Sequence, residues 1–501
     1  VTSPIGSFAL VLHTHLPWLP HHGAWPVGEE WLHQAWGTCY DPLFNLLRRL
    51  AERDRTDLVT LGLTPVLAAQ LDDPYCLANQ HTWLADWQTR ATGQAATTGH
   101  PLAQLEFEQA TAALERFDTQ WSRGGSAVLR PLLDAGVLEL LGGPATHAFS
   151  PLLDDRLLRF GLATGLADTE LRVGARPAGI WAPECAYAPG IEASFRDAGV
   201  QHFLLDGPAF DAIGAPTSAG HPIGATDVVA FARDLEVSYR VWSPTRGYPR
   251  NAWYRDFHTF EHDWGFRQSR VTDARGGEKQ PYEPMRAAAA ARADAVDFVG
   301  HVRRRLQDIA QRDGRPGLVV AAFDTELFGH WWHEGPMWLE HVWELLPQAG
   351  VTVTTLQGAR QAGLVGAPIQ PGEASWGAGK KYQTWTGPAV SGIVDDNWHA
   401  QSVVLKTLEN LPQTGSRSEP TDQLLRSLLL ALASDWAFMV TKNSAAEYAR
   451  RRHFFHHSDT HRLAATIAEA GPDSVAAHRE AQQQRAINGP FGHLDARGLR
   501  R

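Results

Sequence analysis

Short apolar runs alternate with helix-period stretches along the first 360 residues. The runs fall at 7–13 (SFALVLH), 57–63 (DLVTLGL), 137–141 (VLELL), 179–182 (GIWA), 202–205 (HFLL), 228–231 (VVAF), 318–323 (LVVAAF) and 351–355 (VTVTT). Each is about strand length, and most are apolar at successive positions, as in a parallel sheet buried on both faces. Between the first two, Asp41-Pro42 reads as the start of an amphipathic helix through Arg53, with proline at its first position. Seven or eight strand–helix units predict an α/β fold with a parallel sheet rolled into a closed or nearly closed barrel. An open doubly wound sheet is the structural alternative.

Two interruptions break the alternation. Residues 73–131 are rich in Ala, Gln and Leu and read as a helical insertion. Residues 207–283 are rich in Gly, Pro, Trp and Tyr, a long excursion suited to covering a substrate. Beyond 355 the pattern turns helical at 397–411, 421–440, 444–456 and 473–485, with a polar break from Gln413 to Thr421 and a loosely ordered tail from Gly489. The expected organisation is a barrel over 1–72 and 132–359, the insertion over 73–131, and a C-terminal helical domain over 360–501 that contributes to the substrate cleft.

Polar residues stand where the strands end: His13 and His15, Gly142-Gly143, Glu184, Asp206 and Asp324. In a barrel of this kind that end is the catalytic rim. Glu184 closes the run GIWAPE, and Asp324 closes LVVAAFD. Glycosidic bond chemistry asks for two such carboxylates, one as nucleophile and one as proton donor and acceptor. Glu184 suits the first role, its backbone set by the strand and Pro183. Asp324 suits the second, because Phe323 and the Trp331-Trp332 pair would dry its surroundings and raise its pKa.

Composition sharpens this reading. The chain has 19 tryptophans in 501 residues, more than core filling requires, and indole stacks well on the C–H faces of sugars. The net charge of −10 and pI near 6.1 weigh against a nucleic-acid or anionic-membrane partner. No apolar run reaches the ~20 residues of a membrane helix. The opening residues lack a signal-peptide pattern, and three widely spaced cysteines do not suggest a disulfide framework, so a cytoplasmic protein is expected.

The ordered blocks resemble glycoside hydrolase family 57, in its branching group. His13-Thr14-His15-Leu16-Pro17 looks like the family's first motif, and Leu141-Gly142-Gly143 with Thr146-His147 like its second. Trp181-Ala182-Pro183-Glu184-Cys185 resembles the nucleophile motif, and the block from Phe323 to Trp332 the acid/base motif. Ser434-Asp435-Trp436 resembles the fifth. The resemblance implies an incomplete (β/α)7 TIM-like barrel and retaining chemistry on α-1,4-glucan donor and acceptor chains, without metal or organic cofactor, in a monomer or small homo-oligomer. It assigns substrate contacts to His13, His15, His147, Trp181, Trp331, Asp435 and Trp436. It adds Trp385 and Trp398 along the acceptor path, and Trp25 and Trp31 at a further aromatic edge. Branching relatives carry a tyrosine on the loop after the fifth strand; 207–230 has none, and His221 falls near that place.

Rival chemistries make distinct demands. A metal-dependent deacetylase would show Asp-Asp after the first strand, which is absent, and His13 and His15 are expected on opposite strand faces. His330/His333 and the run His453, His456, His457 are further metal candidates, the latter expected on a solvated helix face. Cys185 reads as a packed thiol rather than a nucleophile. α-Amylase or 4-α-glucanotransferase activity would use the same two acids, and a glucan-binding protein without catalysis would have lost one.

Overall fold

The computed structural model describes residues 4–243, 246–272, 278–412 and 416–500. All eight runs become strands: β1 (Gly6–Thr14), β2 (Val59–Leu63), β3 (Leu138–Leu141), β4 (Gly179–Ile180), β5 (His202–Leu205), β7 (Val229–Ala232), β8 (Leu318–Asp324) and β9 (Val351–Thr354), with a short β6 (His221–Pro222) besides. β1 lies between β8 on one side and β2 on the other, and β3 pairs with β2, all in parallel. A second sheet runs β4-β5-β7, also parallel, with β6 antiparallel at its edge. The two sheets meet through the Gly142–Ile180 bridge at one seam. At the other, the Asp234 amide donates to the Val320 carbonyl at 2.8 Å. Strands β1, β2, β3, β4, β5, β7 and β8 thus form a seven-stranded parallel barrel whose hydrogen-bond ladder is broken at two seams.

β1 and β8 are buried on both faces, Phe8 through Leu12 being at most 2% exposed. That burial explains why these strands read as unbroken apolar runs. β9 pairs with the first half of β1, Gly6–Ala9, leaving the second half to β2. The register sets His13 directly beside Asp324 at the carboxyl ends of their strands.

Helices cover the barrel and extend past it. Pro74–Thr98 and Ala103–Arg116 form the antiparallel pair expected over 73–131. The amphipathic helix expected from Asp41-Pro42 forms as Asp41–Ala51, but the capping role of Asp41 is corrected. Glu29–Ala35, a π turn at Trp36–Tyr40 and Asp41–Ala51 follow without a break, so Asp41 lies mid-path, bound to Arg116 and Trp121. The wide π turn falls where Pro42, lacking an N–H, interrupts the regular ladder.

In the C-terminal part, Ser391–Glu409, Glu419–Ala431, Ala446–Ala470 and Val475–Ile487 enclose a second apolar core around Leu424, Leu428, Leu463 and Ile467. The tail corrects the expectation of loose order: Phe491 and Leu494 are buried in that core, and buried Arg426 donates to the Pro490 and Phe491 carbonyls. The excursion at 207–283 carries β6, β7 and helix Leu235–Val241; its positions 244–245 and 273–277 lie outside the described residues, as do 413–415 of the polar break. No helix among the described residues is long and apolar enough to cross a membrane.

Candidate active site

A cleft of about 900 Å³ opens at the carboxyl ends of the strands, lined by His13, His15, His147, Glu184, Asp324 and Asp435 among others. Glu184 does not sit on a strand. β4 ends at Ile180, and a tight turn, Pro183–Cys185, carries the acid in the left-handed region at φ +61°. Cys185 and His147 share that conformation at φ +50° and +59°. Left-handed non-glycine residues cost roughly 1–3 kcal/mol each and persist where surrounding structure enforces them. Here the Trp376 amide donates to the Glu184 carbonyl, which fixes the turn.

Both Glu184 oxygens are held. Ser434 Oγ donates to Oε1 at 2.7 Å and Trp376 Nε1 donates to Oε2 at 2.8 Å. Burial nevertheless pushes its pKa up to about 7, against those two donors. Asp324 keeps part of its surface open to the cleft, yet burial lifts it to about 6, with Arg233 and His15 pulling the other way. Arg233 is tied to buried Asp206, which also accepts from Lys380 at 2.7 Å, and it lies 5.6 Å from the Trp376 ring.

Three imidazoles form the floor. Ring centroids lie 3.8 Å apart for His15 and His147 and 4.9 Å for His13 and His147, and Trp181 stacks beneath His13 at 4.2 Å. His13 and His15 point to the same side of the chain, as positions two apart in a strand do, so the expectation of opposite faces was wrong. His15 contacts Thr64 through Nδ1 and Asp435 through Nε2, both at 3.0 Å. Burial disfavours its charge, but Asp435 outweighs that and its pKa is raised; burial holds His13 and His147 well below the ordinary value. Of the three rings His15 is therefore the one that favours a positive charge, and it is electrostatically coupled to both Glu184 and Asp324.

His15, His147 and Asp435 are the one group among the described residues with metal-ligand chemistry, their donor atoms lying within 4.8 Å of one another. They do not fit a cation. Both nitrogens of His15 are engaged, and rings stacked 20° from parallel cannot aim in-plane lone pairs at a common ion. The His15–Asp435 contact accounts for two of the three, and His147 faces the Ser434 hydroxyl through Nδ1.

Comparison with known proteins fits this site. The glycosyl hydrolase family 57 model matches residues 9–362, well over half the chain. The chain belongs to glycosyl hydrolase family 57. A second model, "1,4-alpha-glucan branching enzyme, C-terminal", matches residues 398–498. A probable 1,4-alpha-glucan branching enzyme of Mycobacterium tuberculosis is 50% identical over 99% of both chains. The crystal structure of a family 57 branching enzyme from Thermococcus kodakaraensis, in complex with glucose, superposes with a TM-score of 0.92 at 30% identity, covering 99% of this chain and 96% of that one. That of the Pyrococcus horikoshii enzyme gives 0.92 at 29%, covering 99% and 97%.

Of the positions that the family 57 resemblance singles out, Trp31 and Trp331 line the cleft with the two acids, the three histidines and Asp435. Others do not. Trp181, Trp385 and Trp436 are each 1% exposed and work from beneath: Trp181 under His13, Trp385 stacked on Phe149, Trp436 donating to the Leu430 carbonyl. Trp398 is exposed beside a small separate pocket that it shares with Trp385, and Trp25 stands outside the cleft. His221 is buried away from it, both ring nitrogens facing the carbonyls of Pro216 and Ala367. An imidazole so committed has no free nitrogen for a sugar.

Sequence reasoning missed Arg233, Tyr239, Trp242 and Glu326, all on the cleft wall. Trp242 stacks on Trp331, a pairing 89 residues apart that no local pattern signals. The histidine run is also corrected: His453 and His456 are buried, His453 facing the Asn397 side chain and His456 facing Arg452. Cys185 is buried with its pKa pushed far up, so its thiol stays protonated.

Proposed function

We propose that this protein is a 1,4-α-glucan branching enzyme that works by retaining transfer, with Glu184 as nucleophile and Asp324 as acid/base. The supporting observation is that the C-terminal region completes the acid site. Ser434 and Asp435, inside the segment that matches the branching-enzyme C-terminal model, bond to Glu184 and His15. Ser434 and Trp376 hold the Glu184 carboxylate by its two oxygens, leaving little rotational freedom for the attacking group.

Glu184 attacks the anomeric carbon of an α-1,4 link while protonated Asp324 gives its proton to the departing oxygen. Ionised Asp324 then takes the proton of an acceptor's 6-hydroxyl, whose oxygen displaces Glu184 and forms the α-1,6 branch. The positive charge at His15 faces both carboxylates and eases their ionisation in turn. Tyr239, Trp242 and Trp331 give the cleft an aromatic wall on which glucan rings can stack. We infer the division of labour expected from the sequence: a barrel over 1–72 and 132–359, an insertion over 73–131, and a helical region from 360 that closes the site.

Proton NMR of amylose after incubation tests the reading. New α-1,6 anomeric signals at constant reducing-end content support branching. Loss of α-1,4 signal matched by new reducing ends would assign the protein to hydrolysis, and an unchanged polymer to binding alone.

A further inference from the structure

Two residues past Asp324 stands a further cleft carboxyl that the two-acid chemistry leaves unused. Glu326 lines the same cavity, is 6% exposed, and belongs to the turn Thr325–Leu327. The π turn Trp36–Tyr40 holds it from behind. The Tyr40 hydroxyl donates to Glu326 Oε1 at 2.5 Å, and the Cys39 thiol donates to the Thr325 carbonyl at 3.0 Å. The Thr14 and Thr325 hydroxyls meet at 2.7 Å. The two segments touch closely: a Cβ on Gly329, itself at φ +116°, would stand 2.1 Å from the Thr38 carbonyl oxygen. A π turn gives up regular helical bonds, and such turns recur at functional sites. This one delivers a buried phenol to a buried acid.

The ionisable groups facing Glu326 are Asp324 at the end of β8, His15 just past β1, and Tyr40 and Cys39 on the π turn. Burial first, and then the charge of Asp324, lift the Glu326 pKa to about 8. Tyr40 is pushed far above the ordinary phenol value by burial and by Glu326, so it remains a donor. With Oε1 accepting from Tyr40, the acid proton of Glu326 belongs on Oε2.

We propose that Glu326 is a positioning residue for Asp324: fixed by Tyr40 and kept neutral, it gives the acid/base an uncharged neighbour through both half-reactions. This rests on the two-acid reading above. In the first step the Asp324 proton goes to the leaving oxygen; in the second, the acceptor hydroxyl returns one to Asp324. The Glu326 proton does not move. With Glu326 ionised, donation by Asp324 would set two like charges side by side, so Asp324 would hold its proton too tightly in the first step.

The test compares Glu326→Ala and Glu326→Gln by pH profile. Alanine is expected to lower kcat about a hundredfold with little change in KM, and glutamine, a neutral isostere, to recover most of that loss. The wild-type alkaline limb of kcat/KM should steepen from one proton to two above pH 8, as Glu326 ionises; the glutamine variant should keep a one-proton limb. Glutamine as inactive as alanine would overturn the proposal, because it would mean that the charged form is needed. Identical alkaline limbs in wild type and Glu326→Gln would equally overturn it, as the mark of a bystander. If the alanine variant fails to fold, the limb comparison decides alone. Inactive Glu184→Gln and Asp324→Asn proteins, measured alongside, keep failure of this proposal separate from failure of the two-acid reading.

Discussion

Glu184 accepts two hydrogen bonds, yet burial pushes its pKa up to about 7, and burial lifts Asp324 to about 6. The productive form, Glu184 ionised with Asp324 protonated, is one of the two ways to place a single proton on this pair of acids. Activity must rise with pH as Glu184 ionises and fall as Asp324 loses its proton, so kcat/KM should trace a narrow bell centred between pH 6 and 7. A donor with a self-departing group, such as α-glucosyl fluoride, dispenses with the acid. On it, Asp324→Asn should keep only the ascending limb, near pH 7; an ascending limb below pH 5 would refute the raised value for Glu184. The same burial makes these acids costly to the fold. A carboxyl raised from 4.5 to about 7 favours the folded state at low pH and loses that contribution as pH rises between the two values. Glu184→Gln should therefore abolish branching yet raise stability at pH 8 by on the order of 3 kcal/mol, a gain that shrinks as pH falls from 7 towards 4.5; parallel denaturant melts at the two ends of that range check it. Both acids were legible in the sequence because each follows an apolar run and stands among motif residues. His221 was not, since nothing local says that its nitrogens are spent on the carbonyls of Pro216 and Ala367.

At the scale of elements, the site depends on where helix Ser434–Lys442 begins. Its first residue donates to Glu184 and contacts His147 Nδ1 at 2.9 Å, so one hydroxyl links Glu184 to the histidine stack across about 290 residues of sequence. A donor to a carboxylate favours its ionised form. Ser434→Ala should accordingly move the ascending limb of the pH profile upward by roughly half a unit to one unit and lower kcat at pH 6 more than at pH 8. A uniform drop across that range would mean that the serine only shapes the cleft. The strands were legible as elements because burial on both faces writes a continuous apolar run. The π turn was not. Asp41-Pro42 carries the local signature of a helix start, and only the packing of Trp36–Tyr40 against Thr325 and Glu326 explains why the chain passes through it instead.

For the whole molecule, the segment after Ile487 joins parts that the sequence pattern keeps separate. Phe491 and Leu494 fill the core between helices Glu419–Ala431 and Ala446–Ala470, and Arg426, 1% exposed, has the Pro490 and Phe491 carbonyls as acceptors. His493 contacts the Thr164 carbonyl on helix Asp155–Val173, which packs against the barrel. A polar, glycine-bearing stretch gives no period to read, so its two large apolar residues passed as incidental; their burial is visible only once the helices surround them. Burying Phe491 and Leu494 contributes about 1.5–3 kcal/mol apiece, and leaving Arg426 a buried cation short of acceptors costs several more. Ending the chain at Asn488 should therefore remove at least about 4 kcal/mol from the unfolding free energy, read as a lowered denaturant midpoint. Because the C-terminal helices also supply Ser434 and Asp435, branching should be lost at a lower temperature than in the full chain, in step with the unfolding of those helices. Phe491→Ala alone, at about 3 kcal/mol, separates lost packing from lost acceptors. An unchanged midpoint in both variants would show that the tail merely rests on the surface, and that the cleft owes nothing to it.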